Sequence, residues 1–362
     1  MRVLLVTNDY PPKPGGIQQY LGNLAAALDA EVRVMAPAEE GGATPGVVRH
    51  RRRFLWPTPP VRRWVAAGIE EFRPHLVLFG APHPLPLMGP RLRRETGVPY
   101  AVLCHGAEVT IPAAVPLLRQ MLAYGLRRAD LRLAVSHYTR RKVERLTRRP
   151  VHYLGAGVDV DTFTPGPPPA GPPVVGCVSR FVPRKGQRRV IDAAAALRAE
   201  GSGATVLLVG RGRDEAALRR RAARSGVPVR FEVGVPWDAL PGLYRQMTVF
   251  AMPCRSRWLG LEVEGLGLVF LEAAAAGLPV VAGDSGGSPE TVDPGVTGFV
   301  ASTDAHLAEA IRLLLADPER ARRMGEAGRR RVLAGFTWEA VAGRFAEAAA
   351  GVGEAGADPR PS

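Results

Sequence analysis

Residues 250–292 read FAMPCRSRWLGLEVEGLGLVFLEAAAAGLPVVAGDSGGSPETV, and this stretch indicates the fold. It starts with the apolar end of a strand at Pro253, continues into a helix of good helix formers over 268–276, and ends in a second apolar strand over 280–283. Gly277, directly after the helical run, is typical of a helix C-terminus. Short buried strands that alternate with helices predict a parallel, doubly wound α/β sheet.

Two carboxylates accompany the start of this helix. Glu264 lies on the turn before the helix, and Glu272 lies within it. Unpaired backbone N–H groups at a helix N-terminus bind anions such as phosphate, and carboxylates accept hydrogen bonds from sugar hydroxyls. Together these features suit a nucleotide-sugar site. The spacing alone equally allows Glu264 to be a helix-start residue and Glu272 to be a solvated helix position.

The pair Glu264…Glu272 with the following AAAAGLPVVA resembles the E-x7-E signature of retaining glycosyltransferases of family 4. The wider string, MPCRSR…EVEGLGLVFLE…VVAGDSGGSPETV, is similar to the GDP-mannose-dependent phosphatidylinositol (monomannoside) mannosyltransferases of actinobacteria. This similarity extends from Pro12 to about Gly298. It implies the GT-B fold, in which two Rossmann-like domains with parallel sheets face each other and a C-terminal helix crosses back to the first domain.

The alternation of apolar strands with amphipathic helices continues along the chain. Strands are predicted over 3–7, 31–36, 76–79, 100–103, 174–178, 205–209, 229–233 and 248–252, with later helices around 215–224 and 237–245. The proline-rich segment 166–173 predicts a linker. We therefore expect an N-terminal acceptor domain over 1–165, a C-terminal nucleotide-sugar domain over 174–335, a C-terminal helix over 336–350 that packs on the first domain, and a disordered tail over 351–362.

The chain is strongly basic. Its 362 residues carry a net charge of +14, with 23 Lys and Arg against 13 Asp and Glu over residues 1–165, and 25 against 21 over residues 166–362. Almost all of these basic residues are arginines, so an arginine-rich composition is one explanation and an anionic partner is another. The cysteines, Cys104, Cys177 and Cys254, have neither disulfide nor zinc spacing, which favours a reducing compartment.

The sequence also bears on membranes. No run reaches the roughly 20 apolar residues that span a bilayer, and the first residues predict a strand instead of a signal peptide. We expect a cytoplasmic protein that contacts the anionic inner face of the plasma membrane through its basic N-terminal domain. The helix predicted over 115–128 combines Leu117, Leu118, Met121 and Leu122 with arginines, so it is either a membrane-surface helix or a core helix with a solvated face.

The first domain contains three candidate segments for the site. After the first strand, a loop leads to a helix start at Gly16, and the resemblance implies that this loop closes over the donor diphosphate while Tyr10 and Gln18 border the acceptor. His105 follows the strand 100–103, and the resemblance places it against the transferred sugar, although a lone histidine is more often structural. Ala107 departs from the polar residue that is common here in lipid mannosyltransferases, which leaves the acceptor open.

The second domain begins with a strand and the loop 179–187, SRFVPRKGQ. Arg180 has a planar guanidinium and Lys185 a compact charge, and both suit the negative charge that grows on a departing diphosphate. The resemblance implies the other roles: Val235 contacts the base through its backbone, the amides of Leu268 and Val269 hold the diphosphate, Glu272 binds the ribose, and Glu264 with His105 orients the mannose.

The resemblance thus implies the retaining transfer of mannose from GDP-mannose to a lipid-linked inositol acceptor. In the front-face mechanism of the family, the leaving phosphate takes the acceptor proton, and no protein nucleophile, cofactor or metal takes part. The sequence leaves open another nucleotide sugar, a soluble acceptor, an epimerase or hydrolase of the same fold and, remotely, a basic nucleic-acid-binding protein. A nucleic-acid-binding function would leave Glu264 and Glu272 without a role, so we expect no nucleic-acid partner. The sequence does not indicate an oligomeric state.

Overall fold

The computed structural model describes residues 1–13, 15–39, 44–167 and 169–354. The chain divides into two compact units. Unit 1 comprises Met1–Gly157 together with the C-terminal segment that begins at Trp338, and unit 2 comprises Val158–Thr337. Each unit is built on its own sheet of parallel strands, which confirms the predicted α/β class with two Rossmann-like domains.

Unit 1 contains a seven-stranded sheet in the order β3-β2-β1-β4-β5-β6-β7. Its strands are β1 (Arg2–Val6), β2 (Glu31–Ala36), β3 (Val47–Arg49), β4 (Leu76–Phe79), β5 (Tyr100–Cys104), β6 (Leu131–Ala134) and β7 (His152–Tyr153). Its first six helices are α1 (Gly16–Ala27), α2 (Pro59–Phe72), α3 (Gly89–Thr96), α4 (Ala107–Ala113), α5 (Pro116–Arg127) and α6 (His137–Thr147).

The helices of unit 1 are held to the sheet by their apolar faces. In α1, Tyr20, Leu21 and Leu24 are buried. The apolar residues of α2 at helical spacing form one core with buried residues of β1, β4 and β5; they are Val61, Val65, Ile69 and Phe72. Full burial of a large aliphatic or aromatic side chain contributes about 1.5–3 kcal/mol relative to its exposure, so the helical periodicity decides which face meets the sheet.

Unit 2 contains a six-stranded sheet in the order β10-β9-β8-β11-β12-β13. Its strands are β8 (Val174–Val178), β9 (Thr205–Val209), β10 (Val229–Glu232), β11 (Val249–Met252), β12 (Val280–Gly283) and β13 (Gly298–Ala301). Its helices are α7 (Gln187–Ala199), α8 (Glu215–Ser225), α9 (Leu240–Tyr244), α10 (Leu268–Ala275), α11 (Asp304–Ala316) and α12 (Pro318–Gly335).

Each sheet has a point at which the strand order reverses. In unit 1 this point lies between β1 and β4, and in unit 2 it lies between β8 and β11. Ligands of doubly wound sheets bind beyond the carboxyl ends of the strands at such a point. The loops that follow β1, β8 and β11 are therefore placed where a ligand is expected. They contain Tyr10, Arg180, Lys185 and Glu264 of the predicted site residues.

The boundary between the units differs from the predicted one. The sequence places residues up to 165 in the first domain, whereas the structure places the chain from Val158 in unit 2. The Val158 N–H donates to the Phe336 carbonyl at 2.9 Å, and Arg329 Nη1 donates to the Phe163 carbonyl at 3.0 Å. These two hydrogen bonds attach residues 158–163 to α12 and to the residue that follows it. Pro168 of the predicted linker lies outside the described residues.

The last helix, α13 (Trp338–Glu354), belongs to unit 1. Trp338 packs edge-on against Tyr20 of α1 at 5.3 Å, and Arg344 Nε donates to the Leu154 carbonyl at 2.8 Å. Residues 351–354 continue this helix, so the prediction that they belong to a disordered tail is wrong. The sequence of residues 351–354, GVGE, is poor in apolar anchors, but the helix begins at the anchored Trp338 and extends through them. The rest of the predicted tail, 355–362, lies outside the described residues.

Candidate active site

The loop between β8 and α7 brings the side chains of Arg184 and Lys185 to the carboxyl edge of the unit 2 sheet. A 3₁₀ turn over Pro183–Lys185 ends at Gly186, where φ is +80°. A Cβ atom at Gly186 would lie 2.5 Å from the Pro253 carbonyl oxygen, so glycine allows this loop to pack directly against the end of β11. This packing buries Lys185, which is 8% exposed.

The carboxylate of Glu264 accepts hydrogen bonds from both of these side chains. Its Oε2 lies 2.6 Å from Lys185 Nζ and 2.6 Å from Arg184 Nη1. Arg184 also forms an ion pair with Glu262, with 3.5 Å between Nε and Oε1. Gly267 is the N-cap of α10 and no side chain caps this end, so the interpretation of Glu264 as a helix-start residue is wrong.

Glu264 is ionised in spite of its burial. Desolvation alone would raise the pKa of Glu264, but Lys185 and Arg184 outweigh desolvation and lower the pKa to about 2. At neutral pH the carboxylate therefore only accepts hydrogen bonds. Glu264 suits the orientation of sugar hydroxyls and does not suit the role of a general acid.

The turn after β12 fixes the backbone of Glu264. The Glu264 N–H donates to Ser285 Oγ at 3.2 Å, and the Gly287 N–H donates to the Glu264 carbonyl at 3.0 Å. Ser285 Oγ lies 3.1 Å from Ser256 Oγ on the loop that precedes Glu264. The predicted strand-helix-strand block is thus also one hydrogen-bonded unit.

Gly286→Ala is expected to lower turnover by displacing Glu264. The φ of Gly286 is +60°, and a Cβ atom there would lie 2.0 Å from the Glu264 carbonyl oxygen, so the backbone that carries this carboxylate must move. Since a displacement of about 1 Å costs on the order of 10²-fold in rate, we expect kcat to fall by about tenfold or more.

Gly295→Ala is the matched control for steady-state kinetics. Its φ is +82°, and no atom of the described residues lies within 4 Å of the added Cβ. Both variants place alanine in a left-handed conformation, but only the change at Gly286 acts on Glu264. Equal kcat values for the two variants would contradict this role of Gly286.

The N-terminus of α10 has backbone donors without acceptors. Gly267 precedes the helix with φ +94°. Within the described ranges, the N–H groups of Leu268 and Val269 have no hydrogen-bond acceptor. The helix dipole adds positive potential at this end, so the two amides are suited to a phosphate oxygen.

Glu272 is buried on α10 and has a separate partner. It is 6% exposed, and its Oε2 accepts a 2.7 Å hydrogen bond from the Tyr244 hydroxyl. The interpretation of Glu272 as a solvated helix position is therefore wrong. Desolvation raises the pKa of Glu272 to about 7, although the Tyr244 hydrogen bond acts in the opposite direction. Its second oxygen, Oε1, has no partner in the described part of the chain.

We expect Glu272→Gln to stabilise the protein at neutral and alkaline pH, with little effect in acid. The folded-state pKa of about 7 exceeds the ordinary value of 4.5, so this carboxyl favours the folded state below that ordinary value and loses the contribution as pH rises through 7. Glutamine keeps an acceptor for Tyr244 without the buried charge. The free energy of unfolding should rise by about 3 kcal/mol near pH 8.5 and change little near pH 4.5. Urea titrations at both pH values measure this, and an equal gain at both would contradict the assignment.

Arg180 and Val235 lie nearer to solvent. Arg180 is exposed, and within the described ranges its guanidinium forms no hydrogen bond or ion pair, while its carbonyl accepts a 2.8 Å hydrogen bond from Gln187. Val235 is half-buried on the loop after β10. Arg180 is therefore accessible to an anion, whereas Lys185 is engaged by Glu264.

In unit 1, His105 follows β5 and is held in one orientation. Its Nε2 lies 2.9 Å from the Gly80 carbonyl oxygen, and its ring packs edge-on against Tyr20 at 5.2 Å. A carbonyl only accepts, so Nε2 carries the hydrogen and the lone pair of the neutral ring is on Nδ1. Glu108 orders the turn, since its Oε1 accepts hydrogen bonds from the His105 and Gly106 N–H groups. His105 thus has Nδ1 as a positioned acceptor.

The loop after β1 contains the other candidates of unit 1. Gly16 is exposed at the start of α1, with open space where a Cβ atom would be among the described residues. Gln18 is 8% exposed and donates from Nε2 to Asp9 Oδ1 at 2.6 Å. Tyr10 is half-buried, and burial raises the pKa of its phenol while Arg49 acts in the opposite direction. Gln18 therefore orders the loop, and Gly16 is accessible.

The helix α5 is only partly a core helix. Leu122 is buried, but Leu117 is 67% exposed and Tyr124 is exposed as well, as are Ile111 of α4 and Val115, the N-cap of α5. One side of α5 therefore packs into unit 1, and the other presents apolar side chains to solvent. In the described ranges, none of the helices combines the length and apolar character needed to cross a membrane.

Two hydrogen-bond partners of the site carboxylates were not predicted, because they are distant in sequence. Arg184 binds Glu264 across 80 residues, and Tyr244 binds Glu272 across 28 residues. The position of Arg184 beside Lys185 in the loop motif is a signal that points to it, whereas the local sequence of Tyr244 contains none. Among the described residues, no group of three or more His, Cys, Asp or Glu is arranged to hold a metal.

Known families match both parts of the chain. Residues 14–162 match the family described as Glycosyltransferase Family 4, and residues 161–331 match Glycosyl transferases group 1. A GDP-mannose-dependent alpha-(1-6)-phosphatidylinositol monomannoside mannosyltransferase of Mycobacterium tuberculosis is 40% identical, over 96% of this chain and 97% of the relative. Its counterpart for the monoacylated monomannoside from Corynebacterium glutamicum is 37% identical over 95% and 96%.

Solved structures show the same fold. Anabaena HepE in complex with UDP has a TM-score of 0.81 at 21% identity and covers 97% of this chain and 100% of its own. Sucrose-phosphate synthase from Thermosynechococcus elongatus has a TM-score of 0.80 at 23% identity, with coverage of 98% and 99%. These likenesses show the GT-B fold. With 40% identity across nearly its whole length, the chain belongs to glycosyltransferase family 4.

Proposed function

We propose that this chain transfers mannose from GDP-mannose to a phosphatidylinositol mannoside acceptor with retention of configuration. The observation that carries the proposal is the buried contact of Glu264 with Lys185 and Arg184, on the loop that leads to the unpaired amides of α10. The names of relatives that are 37–40% identical state this donor and this acceptor class, which supports the proposal.

The diphosphate is held by side chains and backbone amides that have hydrogen-bond donors to offer. Arg180 has no side-chain partner within the described ranges, and the same holds for the amides of Leu268 and Val269. Lys185 has three donor hydrogens, so it can keep its bond to Glu264 and still donate to a phosphate oxygen. These cations and dipoles stabilise the negative charge that grows on the leaving diphosphate.

The hydroxyl groups of the donor are bound by carboxylates. Glu264 is ionised and accepts hydrogen bonds from mannose, while the second oxygen of Glu272 accepts one from the ribose. Val235 contacts the base through its backbone. In unit 1, Nδ1 of His105 accepts a hydrogen bond from the mannose, Gly16 contacts the diphosphate, and the acceptor is bordered by Tyr10 and Gln18.

The transfer follows a front-face course. The acceptor hydroxyl oxygen forms a bond to C1 of mannose on the face from which the diphosphate departs, and a leaving phosphate oxygen takes the hydroxyl proton. The configuration at C1 is therefore retained, and neither a protein nucleophile nor a cofactor or metal takes part in the proposed reaction. Ionised Glu264 orients the sugar and carries no proton in this sequence of steps.

A lipid acceptor requires contact with a membrane. We assign this contact to unit 1 on the inner face of the plasma membrane, where apolar residues of α5 such as Leu117 lie exposed in an arginine-rich domain. Basic residues near an anionic bilayer contribute about 1 kcal/mol each, which suits reversible peripheral binding.

The donor is tested by calorimetric titration with GDP-mannose and UDP-glucose in separate experiments. We expect the guanine nucleotide sugar to bind and the uridine compound to bind at least about tenfold more weakly, equivalent to about 1.4 kcal/mol. Equal or tighter binding of UDP-glucose would overturn the proposed donor. Turnover with a soluble sugar or polyol, but none with the lipid, would overturn the proposed acceptor and leave the donor assignment intact.

A further inference from the structure

The loop between β11 and α10 exposes two adjacent apolar side chains at its tip. Trp258 is 62% exposed and Leu259 is 107% exposed, which makes Leu259 the most exposed large apolar residue of the described chain. Single exposed apolar residues are common on proteins, but adjacent ones at a loop tip mark a contact surface. This tip lies on the same loop as Glu264, five residues before it.

The backbone of this loop is built to project the tip. Arg257 and Glu262 exchange backbone hydrogen bonds of 3.0 and 3.3 Å, which closes the loop at its base. Between them, Trp258 has φ +49° and Leu259 has φ +54°, a left-handed conformation that residues with a Cβ atom rarely adopt. Unfavourable backbone angles and exposed apolar surface occur here together, which indicates that the tip has a partner.

Two arginines accompany the tip. The guanidinium of Arg257 lies over the Trp258 ring at 5.1 Å, and Arg255 is exposed on the same loop, where its Nη2 also lies 2.9 Å from Asp304 Oδ1. Tryptophan favours the boundary between headgroups and acyl chains, leucine favours the acyl region, and arginine binds lipid phosphates. This combination is complementary to an anionic phospholipid surface.

The tip is connected to the proposed donor site by ion pairs. Glu262 lies 3.6 Å from Arg257 and 3.5 Å from Arg184, and Arg184 in turn binds Glu264 at 2.6 Å. Arg257, Glu262 and Arg184 thus form a chain of three side chains between Trp258 and the Glu264 carboxylate.

We propose that Trp258 and Leu259 insert into the anionic bilayer that carries the acceptor and hold the donor site of unit 2 at the headgroup layer. This inference rests on the proposed lipid acceptor. It differs from the membrane contact assigned to unit 1, because the lipid surface here is bound directly beside the residues that bind the donor.

The first test measures insertion without any enzymatic turnover. The native thiols, Cys104, Cys177 and Cys254, are all buried, so Leu259→Cys introduces one accessible thiol for an environment-sensitive fluorophore. We expect its emission to shift to the blue on addition of phosphatidylglycerol vesicles. Leu333→Cys is the control, because Leu333 is 47% exposed on α12 of the same unit and should report no change.

Two results of this labelling experiment would overturn the inference. One is an unchanged emission spectrum of the Leu259→Cys label with anionic vesicles. The other is a shift that grows with protein concentration in the absence of lipid, since that result identifies a second copy of the chain as the partner of the tip.

The second test measures transfer by the double variant Trp258→Ser/Leu259→Ser. We expect the apparent KM for the acceptor in vesicles to rise by about tenfold or more, with the KM for the deacylated, water-soluble acceptor unchanged. Val296→Ser/Leu333→Ser removes two other exposed apolar side chains of unit 2 and should leave both constants unchanged. Equal KM values for the vesicle acceptor in the double variant and the wild type would overturn the inference. No transfer to lipid by the wild type would instead refute the proposed function, and the labelled variant would still decide whether the tip inserts.

Discussion

Lys185→Ala is expected to lower kcat by about 10²–10³-fold while changing the dissociation constant of GDP-mannose much less. The ammonium lies 2.6 Å from Glu264 and is nearly buried, so its charge is poorly screened by water. Charge on the diphosphate increases as the glycosidic bond breaks. The loss of Lys185 therefore affects the transition state more than the bound donor.

Arg180→Ala should likewise lower kcat more than it weakens donor binding. The Arg180 guanidinium has no partner in the described ranges, so its removal breaks no other contact. The matched control is Lys142→Ala, which removes an exposed lysine from α6. Single-turnover kinetics and donor titration separate the two effects. A Lys185→Ala or Arg180→Ala enzyme with unchanged kcat and only weaker donor binding would contradict the proposed role in leaving-group stabilisation.

Glu264→Ala is expected to destabilise unit 2 by about 3–5 kcal/mol and to abolish transfer. The substitution leaves the buried ammonium of Lys185 and the guanidinium of Arg184 next to each other without their shared carboxylate. The native pKa of Glu264, about 2, lies below its ordinary value of 4.5, so its contribution is present above pH 4.5 and is lost as pH falls toward 2. The destabilisation caused by Glu264→Ala should therefore shrink in acid.

A second substitution separates stability from activity at this position. Lys185→Met in the Glu264→Ala background removes the unpaired ammonium, so most of the stability should return while transfer remains absent. Glu319→Ala, which breaks an ion pair with Arg322 on the exposed surface of α12, serves as the control and should leave the urea midpoint unchanged. A Glu264→Ala protein as stable as the wild type would show that the buried pair does not support the fold.

The strands were the most predictable part of the fold. The predicted bounds 31–36, 76–79, 174–178, 205–209 and 280–283 agree with β2, β4, β8, β9 and β12. The last four of these strands are almost entirely apolar because both of their faces are covered, whereas β2 carries Glu31 and Arg33 and is buried only over its last three residues. The helix predicted around 237–245 is instead a 3₁₀ turn over Trp237–Ala239 followed by the short α9. Pro241 at the start of α9 lacks the N–H that a continuous helix requires there.

The site was predictable where its residues lie on loops that follow neighbouring strands of one sheet. Lys185 and Glu264 come from separate motifs, and the structure places them in contact, as expected for two loops at one strand-order reversal. The burial of Glu272 against Tyr244 was not predictable, because it depends on packing between α9 and α10 that has no local signature. The projecting tip at Leu259 was equally hidden, since its left-handed backbone occurs without glycine at that position.

The proposed reaction is tested by following radiolabelled mannose from GDP-mannose into vesicles that contain phosphatidylinositol or its monomannoside. We expect label to enter the lipid phase, UDP-glucose to transfer none, and an α-specific mannosidase to release the label, since the configuration is retained. Label found only in water-soluble products, or lipid-bound label resistant to the α-specific enzyme, would contradict the proposed reaction.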